Sequence, residues 1–481
     1  MKKTAVSLAL MGLLALGGQA VAMICTIDAV PAATLLLPYF EVDLSNPNGL
    51  TTLFSVNNAS EEAALVHVVV WSDLSVPVLD FDIFLTGYDV QTVNMRDIII
   101  NGVVPVTADK GDDPGNPGEG SPKGAGISPE GAFSDDPVIP SCAGHLPPPA
   151  LPAIYTAHLQ AALTGHASAL LGGLCAGQNL GDNIARGYIT MDSVSVCSID
   201  FPNAAGYFVS GGTGVANDNN ILWGDWFIVN AAQNFAEGGD LVHIEADPTN
   251  PETTTNGNYT FWGANDTVPF SAADNREPLA DTWATRFLNG GAFNSGTSLL
   301  VWRDAKQVVS PFTCPATTGR PIWYPLSQQA IVIFDEQETP SVPATFPFSP
   351  QPPGQSILPF PAQTQRTVVG GASFPVPFNF GWLYLDLKTA VTGALTEPPN
   401  DTANDIIAGN HISTQSFVIA TFASNGHFAV GVDAIQLDSA CATATLGSIV
   451  PFVLTGTNGP FDYIPSSVEP PGDTDENVGF P

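Results

Sequence analysis

The sequence predicts a mainly β protein of antiparallel β-sandwich modules, with a β-rich central region that carries two short helices. Three observations lead there. Apolar residues alternate in short runs, as at Leu79, Phe81, Ile83 and Leu85, which is the period of a strand with one buried face. The 46 Gly and 42 Pro supply turn formers between such runs. Only two short stretches repeat apolar residues every four positions, as a helix would.

The chain opens with Lys2-Lys3, an apolar run from Ala5 to Leu16, and Ala20-Val21-Ala22, in the order of a secretory signal with a small-x-small cleavage site. Cleavage near Ala22 gives a secreted or periplasmic protein beginning at Met23. Ile24 precedes Cys25, where a lipoprotein anchor wants a small residue. No later stretch reaches the roughly 18 uninterrupted apolar residues of a membrane helix, so no membrane span is expected.

Residues 23–108 hold the clearest strands, at 51–56, 65–71, 79–85 and 90–95, parted by the turn formers Asn57-Asn58, Ser72-Asp73 and Gly87-Tyr88-Asp89. In outline these roughly eighty residues resemble the immunoglobulin-type modules of exported and adhesive proteins. The resemblance implies an immunoglobulin-like sandwich and no activity.

Residues 109–140 read as a flexible linker, because 111–140 alone holds six Pro and seven Gly with Asp112, Asp113, Asp135 and Asp136. The central region, 141–340, is mixed. Pro152 with Tyr155, Leu159 and Leu163 predicts a helix over 152–164, and Pro278 with Leu279, Trp283 and Phe287 predicts a second, ended by Gly290-Gly291. Strands are expected at 226–229, 241–245, 299–302 and 331–334. Residues 341–375 form a Pro-rich connector. Leu383, Leu385 and Leu387, then 417–422 and 428–432 across Ser424-Asn425-Gly426, give a C-terminal set of sandwich strands within 376–465. Residues 466–481 are a polar tail.

Cysteines stand at 25, 142, 175, 197, 314 and 441, with no CxxC pair. An even count in an exported chain points to disulfides. Of the fifteen pairings, the preferred set is Cys25–Cys441, Cys142–Cys175 and Cys197–Cys314: the first ties the ends and the second closes a helix-containing loop.

With 46 acids against 13 bases the formal charge is -33. Clustered cations that track phosphates are missing, so nucleic acid is not an expected partner. Catalytic signatures such as G-x-S-x-G, H-E-x-x-H and the P-loop are missing too. Gly165-His166-Ala167-Ser168 puts a His near a Ser, which sequence adjacency alone does not make a triad.

One constellation stands out. On a strand over 241–247, His243, Glu245 and Asp247 share one face, opposite Val242 and Ile244. With Asp225 they offer the carboxylates a glycosidase needs, or simply the wet face of an amphipathic strand. Asp80 and Asp82 form a second same-face pair. Six of the eight Trp lie between 223 and 323, and Trp223 and Trp226, three apart on a strand, face opposite sides, so that one can stack on sugars while the other fills the core. No cofactor motif occurs. Calcium has candidate oxygens in Asn217-Asp218-Asn219-Asn220, in Asp109, Asp112, Asp113 and Glu119, and in Asp473-Thr474-Asp475-Glu476, but none fits the EF-hand loop and each suffices as a polar turn.

The expected function is a secreted extracellular or cell-envelope binding or structural protein without catalysis. Trp223, Trp226, His243 and Glu245 are its candidate ligand residues, and a neutral glycan or another envelope protein its partner. The alternative is a secreted glycan hydrolase working through Asp225, Glu245 and Asp247.

Overall fold

The computed structural model of the chain describes residues 29–105, 140–142, 145–146, 148–202, 204, 206–209, 211–247, 275–277, 279–304, 310–314, 324–328, 330–341, 358–387, 389–390, 411–412, 415–424 and 428–437. The leader expected over 1–22, Cys25, Cys441, residues 109–139 and the 466–481 tail lie outside them, as do the calcium candidates at 109–119 and 473–476.

Mainly antiparallel β-structure is what these residues form. Its first strands are β1 (Thr34–Asp43), β2 (Leu50–Asn58), β3 (Ala64–Ser72), β4 (Pro77–Leu85) and β5 (Val90–Asn94). The helix α1 (Ala153–Ala162) follows, and then β6 (Ile184–Val194), β7 (Leu222–Trp223), β8 (Asp225–Asn230), β9 (Phe235–Asp240) and β10 (Val242–Ile244). One sheet runs β10-β1-β6-β3-β4 and a second runs β5-β2-β8-β9, with β7 also paired to β2. Strands from 184–244 thus complete sheets begun by 34–94.

Local chemistry explains the irregularities. Pro38 has no N–H to give the ladder, and the β1–β6 register slips by one residue between Leu37 and Phe40. Opposite this bulge stands Gly187, where any Cβ would fall 1.9 Å from the Trp71 carbonyl oxygen and 2.9 Å from the Phe40 ring. Only glycine fits there. β3 pairs on both sides and is buried throughout, which its apolar run Val68-Val69-Val70-Trp71 matches.

The later strands are β11 (Thr282–Leu288), β12 (Gly296–Arg303), β13 (Ala330–Asp335), β14 (Pro340–Ser341), β15 (Thr364–Val368), β16 (Phe380–Asp386), β17 (Thr389–Ala390), β18 (His411–Ile412), β19 (Ser416–Ser424), β20 (Phe428–Asp433) and β21 (Ile435–Gln436). They build the sheets β14-β13-β16-β11-β21 and β15-β12-β19-β20, and the pair β17-β18. Side chains from all four larger sheets belong to one continuous apolar core that includes Leu36, Trp226, Trp283 and Trp302.

Charge ties the two halves together as well. Arg366 of β15 bonds Glu237 of β9, lies 3.3 Å from Glu41 of β1, and sits over the Tyr39 ring at 5.7 Å. Tyr39 in turn donates to Glu41 at 2.7 Å.

Two expectations are corrected. The helix expected from Pro278 is the strand β11, paired with β16 and β21. Leu279, Trp283 and Phe287 are buried as expected, but a spacing of four is even and puts residues on one face of a strand as well as of a helix. Thr282, Thr285, Trp283 and Phe287 favour the strand. The helix over 152–164 is present as α1, with Leu159 and Leu163 inward and Tyr155 outward.

Disulfides join Cys142 to Cys197 and Cys175 to Cys314, not Cys142 to Cys175 and Cys197 to Cys314. Cys175 precedes β6 and Cys197 follows it. That 11-residue strand is about 35 Å long and separates the two cysteines. Cys142 packs with Leu65, Phe84 and Val194 at the far end, whereas Cys175 exchanges backbone hydrogen bonds with Phe312. The pairing Cys25–Cys441 lies outside the described residues.

Candidate ligand-binding face

The β7–β8 stretch keeps one register against β2: Asn57 opposes Trp223 and Leu53 opposes Phe227. Residues 223, 225 and 227 therefore share one face with Leu53, Ser55 and Asn57, and Trp226 points the other way. Across the sheet the outward rows read Val90–Asn57–Trp223, Thr92–Ser55–Asp225–Asp240 and Asn94–Leu53–Phe227–Gly238.

Trp226 is 1% exposed, and its indole N–H donates to the Asp240 carbonyl at 3.0 Å. Trp223 is 41% exposed and Phe227 44%. The Phe227 ring lies across β9, where a Cβ on Gly238 would meet it at 2.5 Å. Beneath Trp223 runs a relay: the Asn57 side-chain N–H donates to Ser55 Oγ at 2.9 Å, and the Ser55 hydroxyl donates to Asp225 Oδ1 at 2.6 Å. The face thus combines two exposed rings with a fixed line of polar groups.

The 241–247 stretch lies differently. Instead of presenting a wet face, residues 241–246 are all buried, Glu245 at 6% exposure. β10 pairs with β1, and residues 275–277 pack over its continuation: the Glu245 N–H donates to the Glu277 carboxylate at 3.2 Å, and the Glu277 N–H to the Glu245 carbonyl at 2.8 Å. His243 accepts the Gly224 N–H through Nε2 at 3.4 Å. Asp247 is half-buried and its N–H donates to the Asn275 carbonyl. Trp223 and Asp225 are presented together; Glu245 and His243 support the strands from within.

The same-face pair Asp80 and Asp82 belongs beside a buried polar row whose other members the sequence does not single out. Thr34, Asp192, His67 and Asp82 stand at one level across β1, β6, β3 and β4. The Thr34 hydroxyl and the Tyr207 hydroxyl donate to Asp192, the latter at 2.8 Å, and Arg276 bonds Thr34 and the Asn217 carbonyl. His67 Nδ1 lies 2.8 Å from Asp82, with His145 at 3.5 Å. Burial pushes the Asp192 carboxyl up, partly offset by Arg276, while burial acts to lower His67 and the adjacent Asp82 more than reverses it. Asp80, half-buried beside this row, is raised to about 6, chiefly by burial. The signal in the sequence was a lone His or Asp interrupting an apolar strand, as in Val66-His67-Val68.

His158, on α1, donates from Nε2 to the Val78 carbonyl at 3.0 Å and accepts the Ser168 hydroxyl at Nδ1, 2.6 Å away. Ser168 is buried, so the pair is a structural clasp between α1, β4 and the following turn. His166, the neighbour of Ser168 in sequence, meets Thr164 and Asn179 instead.

No protein-family model, curated protein or solved structure matches the chain. The arrangement of its own side chains therefore carries the functional reading. Among the described residues no group of three or more His, Cys, Asp or Glu is placed to hold a metal ion, and no helix is long and apolar enough to cross a membrane. In the calcium candidate at 217–220, Asn217 and Asn220 bond backbone groups of their own chain, and Asp218 lies 3.8 Å from Arg276. The two disulfides suggest an oxidising, extracytoplasmic environment.

Proposed function

We propose that the protein is a secreted or cell-envelope binding protein without catalytic activity, that a leader over residues 1–22 directs it there, and that its outward β2–β8 face holds a glycan. The supporting observation is the exposure of Trp223 and Phe227 on one face beside the Asn57–Ser55–Asp225 relay, while Trp226 is committed to the core. Ring faces stack on the C–H faces of sugars, and amide, hydroxyl and carboxylate groups hold sugar hydroxyls. In this reading the paired sheets of each half are layers of immunoglobulin-like antiparallel sandwiches, which offer broad outward faces of this kind. The excess of acids disfavours polyanions such as nucleic acid.

The hydrolytic alternative asks Asp225 and Glu245 to flank a sugar bond. Glu245 is buried against Glu277, which argues against that role.

The test is calorimetric titration of the wild type and of Trp223→Ala with a panel of oligosaccharides. Binding by the wild type, weakened by about 1–3 kcal/mol in the variant with an unchanged circular-dichroism spectrum, supports the reading. Absence of binding across the panel, or a variant that binds as well as the wild type, overturns it.

A further inference from the structure

Asp225 and Asp240 oppose each other directly across β8 and β9, both on the outward face. Like charges in that position repel and weaken the strand pair. Neither carboxylate forms an ion pair among the described residues, where Arg186, Arg276, Arg286 and Arg366 are engaged elsewhere. Asp433 of β20 also feels the Asp240 charge.

A second observation concerns Asn57, which is 1% exposed. Its side-chain N–H is used by Ser55, whose hydroxyl is used by Asp225, and its Oδ1 has no hydrogen-bond partner. The relay is thus polarised in one direction: the buried Asn57 Oδ1, on the residue that pairs with Trp223, stands at its inner end, and the Asp225 carboxylate beside Asp240 at its outer end. Along β7 and β8 the order is Trp223, Asp225, Phe227, each about 7 Å from the next along the same face. A cation held by Asp225 sits between the two aromatic side chains on this face, and a ring that leans over it to within about 6 Å adds cation–π attraction.

Resting on the glycan-binding reading above, we infer that the group this face selects is an ammonium, borne by an amino sugar whose amine is not acetylated. The carboxylates of Asp225 and Asp240 take the charge, Trp223 and Phe227 flank it, and the sugar hydroxyls complete the contact. A hydroxylated cation suits this face better than a neutral sugar because it relieves the Asp225–Asp240 repulsion as it binds.

The full chain is titrated, at mildly acidic pH and low salt, with a glucosamine tetramer and with the N-acetylglucosamine tetramer of the same length. The expected result is at least about tenfold tighter binding of the amine, a preference that shrinks as salt is raised. Asp240→Asn should reduce this preference severalfold by weakening the amine far more than the acetylated tetramer, and Trp223→Ala should weaken both ligands. An acidic protein attracts any oligocation, so a preference that survives both substitutions overturns the assignment. Equal affinity for the two tetramers, with Trp223→Ala weakening both, overturns the ammonium inference and leaves the glycan-binding face standing. Binding of neither tetramer overturns the inference, while the wider panel decides the general reading separately.

Discussion

Asp73 takes two hydrogen bonds from one residue, the backbone N–H of Gln178 at 3.0 Å and its side-chain amide at 2.9 Å. Gln178 in turn accepts the Tyr324 hydroxyl at 2.8 Å, and the Asp73 carbonyl receives the N–H groups of Gln363 and Thr364. The β3–β4 turn is thereby fastened to three distant segments. Burial pushes the Asp73 carboxyl up to about 7, against the pull of its donors.

A raised carboxyl binds its proton more tightly in the folded chain, so its contribution to stability is complete below the unfolded value near 4 and is lost as pH rises towards 7. Each unit in that window costs about 1.4 kcal/mol. Asp73→Asn should remove this slope and gain on the wild type as pH rises from 4 to 8. Urea midpoints measured over that range check it; parallel curves for the two proteins refute it.

Arg366 couples the halves through Glu41 and Glu237. Arg366→Met keeps the stem but strands the buried Glu237 carboxylate and leaves Glu41 to Tyr39 and Arg186, which should destabilise the protein by about 3–5 kcal/mol. Scanning calorimetry should show the loss, while Arg286→Met, which breaks an exposed pair with Glu336, should cost less than about 1 kcal/mol.

The disulfides close loops of different length, 55 residues apart for Cys142–Cys197 and 139 for Cys175–Cys314. Chain entropy alone assigns them about 4 and about 5 kcal/mol. Replacing each pair by Ala should lower stability by that order, with the longer loop costing more, as denaturant unfolding would show.

The His67–Asp82 pair sits within a buried sheet. Its net effect is to raise the imidazole above its usual value, so its share of stability is complete below about pH 6.5 and disappears as pH rises through the higher folded value. Asp82→Asn should return the His67 titration, followed by NMR, to lower pH and destabilise the fold most in mild acid.

The strands of 50–94 are legible because short apolar runs, alternating at Leu79–Leu85 and continuous at Val68–Trp71, stand between clusters of turn formers. β1 and β6 were not: β1 is buried along nearly its whole length and broken by Pro38, and Gly187, Arg186 and Asp192 obscure the pattern of β6. β11 was misread because residues four apart serve both periods. At the site, the odd spacing of Trp223 and Trp226 was enough to put one inside and one outside. The burial of Glu245 was hidden, since the segment that packs on it, with Arg276 and Glu277, lies some 30 residues further on, and that of His243 because its contact to Gly224 comes from another strand pair. The disulfide pairing needed the direction of β6, which no spacing reveals.

The order in which the chain is made has a consequence for β1. Its neighbours are β6 and β10, and the side-chain bond from Thr34 to Asp192 spans 158 positions. A chain delivered N-terminus first can close β3 on β4 and β5 on β2 at once, but β1 must wait, unpaired and strongly apolar, until residues up to 194 have emerged. Such nonlocal closure makes assembly slow. In the interval the exposed edge invites wrong partners, so the topology favours a chain whose β1 stays covered until β6 and β10 arrive.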